Sequence, residues 1–192
     1  MVSKCQDCQL NEVFVHFGEE KLCLKCTNGR MEEQFGVAAT SYPEGVAIRD
    51  GLGETRHFQL RKRLDPINIF MEAEELEPAG YHFKIQGDLY CDQGRLLLDL
   101  IAKAERGMAE KYVERGTFPN GQSYDSIKNN RLAGRVEWNL ADEDVPLLVV
   151  DGNSYTWEEV GRMLMSYEGF QVKLEMVDPY DEIEWEPETE GE

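Results

Sequence analysis

Two Cys-x-x-Cys pairs near the start of the sequence constrain its folding more than any other feature. The first pair is Cys5 and Cys8, the second is Cys23 and Cys26, and fourteen residues separate the pairs. Each pair forms a tight turn that directs two sulfur atoms toward one point, and a hairpin between the pairs brings the turns together. The sequence therefore predicts a zinc-binding module over residues 1–35, in which four thiolates hold one structural Zn(II) ion.

Two disulfides or an iron–sulfur cluster are the alternatives for these cysteines. No apolar run approaches the roughly 18 residues of a membrane span, and the sequence opens without a signal-peptide pattern, so we expect a cytoplasmic protein. Thiols stay reduced in that compartment, which favours metal. His16 could replace a cysteine, but four cysteines already complete a closed site with no open position for a catalytic water.

Parts of the module resemble a known zinc-binding region. Cys5-Gln-Asp-Cys8, Val13-Phe-Val-His-Phe17 and Leu22-Cys-Leu-Lys-Cys26 resemble the start of McsA-type bacterial stress regulators and related small zinc ribbons. The resemblance implies a zinc-stabilised binding module. It covers only the cysteine region, so the association of those regulators with a kinase is not assigned to this chain. The run 155–169 looks like a segment of uncharacterised bacterial proteins and implies no activity.

The middle of the sequence predicts a sheet covered by a helix. Apolar and polar residues alternate in three successive segments, 57–64, 67–74 and 81–86. This alternation predicts antiparallel strands with one face toward the core. From Asp92 to Arg115 apolar residues recur every three or four positions, which predicts a helix that covers this face.

Further elements extend the predicted α+β domain to residues 56–177. Thr156 and Glu159 match a capping box, which predicts a second helix over 157–167. Patterns typical of strands occur at 134–139, 147–150 and 170–176. The predicted fold class is α+β, in which a mostly antiparallel sheet has two helices packed on it.

The segments that flank this domain differ from it in composition. Glycines and Pro43 interrupt every periodic pattern over 36–55, which predicts a linker. The acidic tail, residues 178–192, carries eight acidic and no basic side chains, which is typical of disorder. Ile183 and Trp185 within the tail suggest a docking segment for a basic partner as the alternative.

The charge of the chain bears on its partners. The formal net charge is −18, which disfavours non-specific binding of nucleic acid. A basic cluster nevertheless stands out: Arg56, Arg61, Lys62 and Arg63. Arg61 and Arg63 share one face of a predicted strand and are candidate partner-binding residues, for a carboxylate-rich protein, a nucleic acid or the acidic tail. Pairing with Glu72 and Glu74 inside the sheet is the alternative.

The sequence favours a non-enzymatic function. Its metal site is closed and it carries no phosphate-binding loop. We therefore expect a cytosolic adaptor, regulator or inhibitor that binds another protein, with a basic partner favoured by the acidic charge. One alternative is an enzyme whose pocket combines Cys91, near a predicted helix start that can lower its pKa, with His57 or His82. The other is nucleic-acid binding through the zinc module and the basic cluster.

Overall fold

The N-terminal module is a hairpin followed by a helix. The computed structural model describes residues 3–185. In it, β1 (Val15–Phe17) pairs with β2 (Glu20–Leu22) between the two cysteine pairs, and α1 (Leu24–Phe35) follows directly. Helix α1 is 12 residues long. Cys23 caps the start of this helix, because its Sγ accepts from the Cys26 backbone N–H.

A four-stranded antiparallel sheet follows. Its order is β3 (Gly45–Arg49), β4 (Thr55–Leu64), β5 (Asn68–Glu75) and β6 (His82–Asp88), and α2 (Gln93–Ala109) packs on one face. The predicted α+β fold class is therefore confirmed. Strand β3 lies within the range 36–55 that the sequence predicted to be a linker, and it pairs with β4 from Gly45 opposite Gln59 to Arg49 opposite Thr55.

Helix α2 ends earlier than its apolar periodicity predicted. It stops at Ala109 because the backbone N–H groups of Tyr112 and Val113 both donate to Asp151 Oδ2, at 2.8 Å each. These bonds turn the chain away from the helix. It then forms β7 (Val113–Thr117), which pairs with β8 (Ser123–Ile127), a hairpin that the sequence did not predict.

The remaining elements form a small sheet with one helix. Its elements are β9 (Arg135–Glu137), β10 (Leu147–Val150), β11 (Asn153–Tyr155), α3 (Trp157–Leu164) and a 3-10 helix (Met165–Tyr167). Nearly all buried apolar residues of the range 56–177 fall into two clusters. The first lies between α2 and the four-stranded sheet, with Leu100 and Met71 at its centre, and the second surrounds Val150 and Val160.

The last described residues have no regular secondary structure. The predicted strand 170–176 does not form, because no strand within residues 3–185 pairs with it. Residues 178–185 dock on the rest of the chain through contacts described below, and the part of the acidic tail at 186–192 lies outside the described residues. No helix among the described residues is long and apolar enough to cross a membrane.

Candidate metal centre

The four predicted ligand cysteines converge. The Sγ atoms of Cys5, Cys8, Cys23 and Cys26 all lie within 4.8 Å of one another. Cys8 Sγ and Cys23 Sγ are 3.8 Å apart, close to the edge of about 3.8 Å that four sulfurs have when each lies about 2.3 Å from a tetrahedral Zn(II). Cys5 and Cys23 are buried, with 1 % and 2 % of their surface exposed. The four residues could therefore hold a metal ion. His16 lies on the exposed part of β1, outside this cluster.

Backbone donors around the sulfurs suit thiolates. The N–H of Cys8 donates to the Cys5 sulfur and is the main reason why the pKa of Cys5 is lowered to about 6. The Asn11 backbone N–H likewise lowers the pKa of Cys8. Contact with the Cys23 sulfur, by contrast, raises the pKa of Cys26 to about 12. Adjacent thiolates repel one another, so all four ionise together only around a cation, and the donor set fits Zn(II).

An arginine connects the three parts of the module. Arg30, on α1, donates from Nη2 and Nε to the two carboxylate oxygens of Asp7, at 2.7 and 3.0 Å. Its Nη1 donates to Glu20 Oε1, on β2, at 2.9 Å. These bonds connect the helix to the first cysteine turn and to the hairpin without involving the cysteine sulfurs. Such partly exposed ion pairs are individually weak, so the metal remains the main cross-link expected in this module.

The opposite face of α1 attaches the module to the sheet. Asn28 Nδ2 donates to the carbonyl oxygen of Lys62, and Asn28 Oδ1 accepts from the N–H of Leu64, at 2.8 and 2.9 Å. Met31 and Phe35, one and two turns later, pack against the first core cluster. Helix α1 therefore begins at the cysteine cluster and also contacts the edge of β4.

The predicted partner-binding arginines have partners within the chain. Arg61 forms an ion pair with Glu74 across β4 and β5, and its guanidinium lies 5.7 Å from the ring centre of Phe14. Arg63 pairs with Asp65 at 3.2 Å and lies over the ring of Phe70 at 4.5 Å. The internal pairing considered as the alternative for Arg61 is the one present in the structure.

The other two cations of the basic cluster are less accessible. Arg56 bridges two buried carboxylates, Asp50 at 3.0 Å and Glu75 at 2.9 Å. Lys62 points into the core, where burial lowers its pKa and its ammonium donates to the oxygens of Thr40 and Gln93. The four cations therefore do not form one exposed basic surface.

Of the two predicted docking residues of the tail, Trp185 contacts the second core. Trp185 Nε1 donates to the hydroxyl of Tyr112 at 3.2 Å, and the Arg131 guanidinium lies 5.4 Å from the Trp185 ring centre. Ile183 remains exposed. Trp185 thus has partners within its own chain.

Residues before Trp185 bind α2. Lys103 Nζ donates to the carbonyl oxygens of Tyr180 and Asp181 at 2.8 and 2.7 Å, and also to those of Lys84 and Pro179. Arg106 pairs with Glu182 through two hydrogen bonds. A buried ammonium with four carbonyl acceptors fixes residues 179–181 beside β6.

The structure does not bring Cys91 together with His57 or His82. Cys91 Sγ lies beside Gly87, where an added Cβ would approach it to 2.9 Å. His82 lies five residues earlier on β6, which is about 17 Å of strand, and it bonds Glu72 at 3.1 Å. Gln59 on β4 lies opposite Glu74 on β5, and Glu74 lies opposite His82 on β6. His57, two residues before Gln59, therefore lies at the same end of the sheet as His82, far from Cys91. Burial raises the pKa of Cys91, contrary to the lowering expected near a helix start.

An open groove that the sequence did not predict lies between the N-terminal module and β4. Its volume is about 630 Å³. Phe14, Tyr42 and Leu60 supply apolar surface, and Glu12 and Glu44 are exposed carboxylates on its lining. Other lining residues include Cys23, Lys25, Glu32 and Arg61. Residues that line it come from distant parts of the sequence, so no local pattern could have indicated it.

Comparisons with known proteins cover the two cores but not the metal cluster. Residues 40–109 match a family model described as Domain of unknown function (DUF7686), and residues 112–181 match one described as Domain of unknown function (DUF7713). Neither description assigns an activity. The boundary between the matched ranges coincides with the boundary between the two buried clusters. No curated protein matches the chain, and no solved structure matches it. The resemblance of the cysteine region to McsA-type regulators stays a prediction.

Proposed function

We propose that this chain is a zinc-stabilised cytosolic adaptor, regulator or inhibitor, and that it binds a basic segment of a protein partner in the groove beside the metal centre. The convergence of four cysteine sulfurs within 4.8 Å carries the proposal. Zn(II) would cross-link the module and so keep the groove wall formed by Phe14 and α1 in place.

The lining of the groove supports a basic partner. Glu12 and Glu44 are exposed there without an ion pair among the described residues. A Zn(II) ion with four thiolates carries a formal charge of about −2, and Cys23 lines the groove. Two basic residues also line the groove: Arg61 is neutralised by Glu74, and the exposed Lys25 leaves one positive charge against the carboxylates of Glu12, Glu32 and Glu44. A cationic side chain flanked by an apolar one would meet both the carboxylates and the aromatic surface.

Quantitative affinity purification from native cells tests this function. The full tagged chain is compared with Glu12→Gln/Glu44→Gln, which neutralises the groove, and with Glu105→Gln/Glu143→Gln, which removes the same charge from exposed positions elsewhere. We expect the groove variant to lose its partner at least about tenfold relative to the control variant. Cross-linking mass spectrometry should place a Lys- or Arg-rich partner segment beside Glu12 or Glu44. Equal retention by both variants would contradict the proposal.

A zinc-ligand variant provides a second comparison. Cys5→Ser/Cys8→Ser removes half of the donor set without changing the groove carboxylates. If the module forms the binding surface, this variant should lose the same partner as the groove variant. Retention of the partner would show that binding occurs elsewhere on the chain.

A further inference from the structure

The connector, defined as residues 168–177, is exposed along its whole length. It links the 3-10 helix to the docked residues 178–185. Its apolar side chains are Phe170, Val172, Leu174 and Met176, and between 68 % and 74 % of the surface of each is exposed. They alternate with Gln171, Lys173 and Glu175. This alternation is typical of a strand with one buried face, yet no strand among residues 3–185 pairs with it.

We propose that the connector is a dimerisation strand. It pairs in antiparallel orientation with the connector of a second copy of this chain, across a two-fold axis that passes beside Leu174. The partner is a second copy because the segment is complementary to itself in both charge and apolar pattern.

The register follows from the charges. In an antiparallel pair, residues that lie directly opposite each other point to the same face. Centring the pair on Leu174 places Lys173 opposite Glu175 of the second copy, and Glu175 opposite its Lys173. Within one chain Lys173 Nζ already lies 3.3 Å from Glu175 Oε2, so in the dimer each of these side chains would lie between an opposite charge on its own strand and one on the second copy.

The apolar face fits the same register. Leu174 then faces Leu174 of the second copy, and Val172 faces Met176 on both sides of the axis. Centring the pair on Lys173 would oppose two ammonium groups, which is unfavourable. Any register that opposes an even-numbered to an odd-numbered residue would place apolar side chains against polar ones.

The flanking structure favours association. The 3-10 helix fixes one end of the connector, and the bonds of Lys103 to residues 179–181 fix the other. Less conformational freedom is then lost when two connectors pair. Met165, just before the connector, is 75 % exposed and offers further apolar surface. A two-stranded contact is smaller than the standard interface of about 1,600 Å², so we expect a dimer that dissociates on dilution.

Engineered cysteines test the register directly. In the full-length, metal-loaded chain, Leu174→Cys places two thiols opposite each other at a Cα separation of about 4.5–5.5 Å, within disulfide range. Mild oxidation should give a covalent dimer on a non-reducing gel. Val172→Cys is the matched control, because its two thiols would lie about 13 Å apart along the strands. Equal cross-linking of the two variants, or none with Leu174→Cys, overturns the proposal.

A charge swap tests the pairing without cysteines. Analytical ultracentrifugation over a roughly hundredfold concentration range should show a monomer–dimer equilibrium for the natural chain. Lys173→Glu and Glu175→Lys should each weaken it at least about fivefold, and the double variant should restore it. These residues are exposed in the single chain, so far-UV circular dichroism should not change. A natural chain that stays monomeric throughout, or a double variant as weak as the single ones, overturns the proposal.

Discussion

The Asn28 side chain on α1 donates a hydrogen bond of 2.8 Å from Nδ2 to the carbonyl oxygen of Lys62 on β4. The same side chain accepts from the N–H of Leu64 at 2.9 Å. Strand β3 pairs with β4 only as far as Gln59, so Asn28 replaces the missing neighbour at the far end of β4. The helix that begins at the cysteine cluster therefore completes the hydrogen bonding of the central sheet.

Asn28→Ala should destabilise the chain. The substitution leaves two partly buried backbone groups of β4 without partners, which costs about 1–3 kcal/mol. Chemical unfolding followed by circular dichroism measures the change in the free energy of unfolding. Gln34→Ala, at an exposed position of the same helix, is the control and should change it by less than about 0.5 kcal/mol. Equal effects of the two substitutions would show that the Asn28 bonds do not hold the module to the sheet.

Lys103→Met should release residues 179–185. The four carbonyl oxygens around Lys103 Nζ lose their donor, while the aliphatic part of the side chain is retained. Hydrogen–deuterium exchange should become faster in the peptide that contains Tyr180 and Trp185. Lys128→Met, at an exposed position, should leave this peptide unchanged. Unaltered exchange in Lys103→Met would contradict the role assigned to the buried ammonium.

Glu72 should contribute to stability in a pH-dependent way. Its pKa is lowered, first by the hydrogen bond from His82 at 3.1 Å and then by nearby Lys84, while burial opposes the shift. In the unfolded chain a glutamate carboxyl has a pKa of about 4.3. When folding lowers this pKa, the carboxylate adds stability that is fully present above the unfolded-state value. That stability is lost as the pH falls through the folded-state value. We therefore expect the unfolding midpoint in urea to fall as the pH decreases below about 5.

Glu72→Gln isolates this contribution. The variant should show a smaller fall in the urea midpoint than the natural chain over the same pH range, whereas Glu105→Gln, exposed on α2, should follow the natural chain. Any loss of metal at low pH is common to all three proteins and cancels in the comparison. Identical pH profiles would mean that the His82–Glu72 bond is not formed in solution.

Thr156→Ala should weaken α3. The Thr156 hydroxyl accepts from the N–H of Glu159 at 3.2 Å, and Glu159 Oε2 accepts in return from the N–H of Thr156 at 2.8 Å. Loss of such a cap costs about 0.5–2 kcal/mol. Thr156→Ser keeps the hydroxyl and should recover most of the stability in thermal unfolding. If the serine variant were as unstable as the alanine variant, the cap would not be the cause.

Features encoded within a few residues were predictable from the sequence. The strand alternation of 57–64, 67–74 and 81–86, the capping box at Thr156 and the convergence of the cysteine pairs depend on local spacing, and all are present in the structure. Lys62 is a case in which the spacing was the better guide than the residue type. It follows Phe58 and Leu60 in the strand alternation, which indicates a position facing the core. A lysine at that position was nevertheless assigned to the basic cluster with Arg56, Arg61 and Arg63 because of its charge.

Features made by distant residues were not predictable. Helix α2 ends where it does because of Asp151, some forty residues further on. The docking of residues 179–181 depends on Lys103, and the attachment of the module depends on Asn28, whose only local signal is a polar residue of low helix propensity within a helix. The connector has the alternation of a strand, yet none of the strands among residues 3–185 pairs with it, so its local pattern alone did not determine its structure.

The metal content and coordination of the purified full-length chain test the central claim most directly. Elemental analysis combined with X-ray absorption spectroscopy should find one zinc per chain with four sulfur neighbours at about 2.3 Å. Folded protein without bound metal, or a zinc ion with an oxygen neighbour from solvent, would contradict a closed site formed by Cys5, Cys8, Cys23 and Cys26.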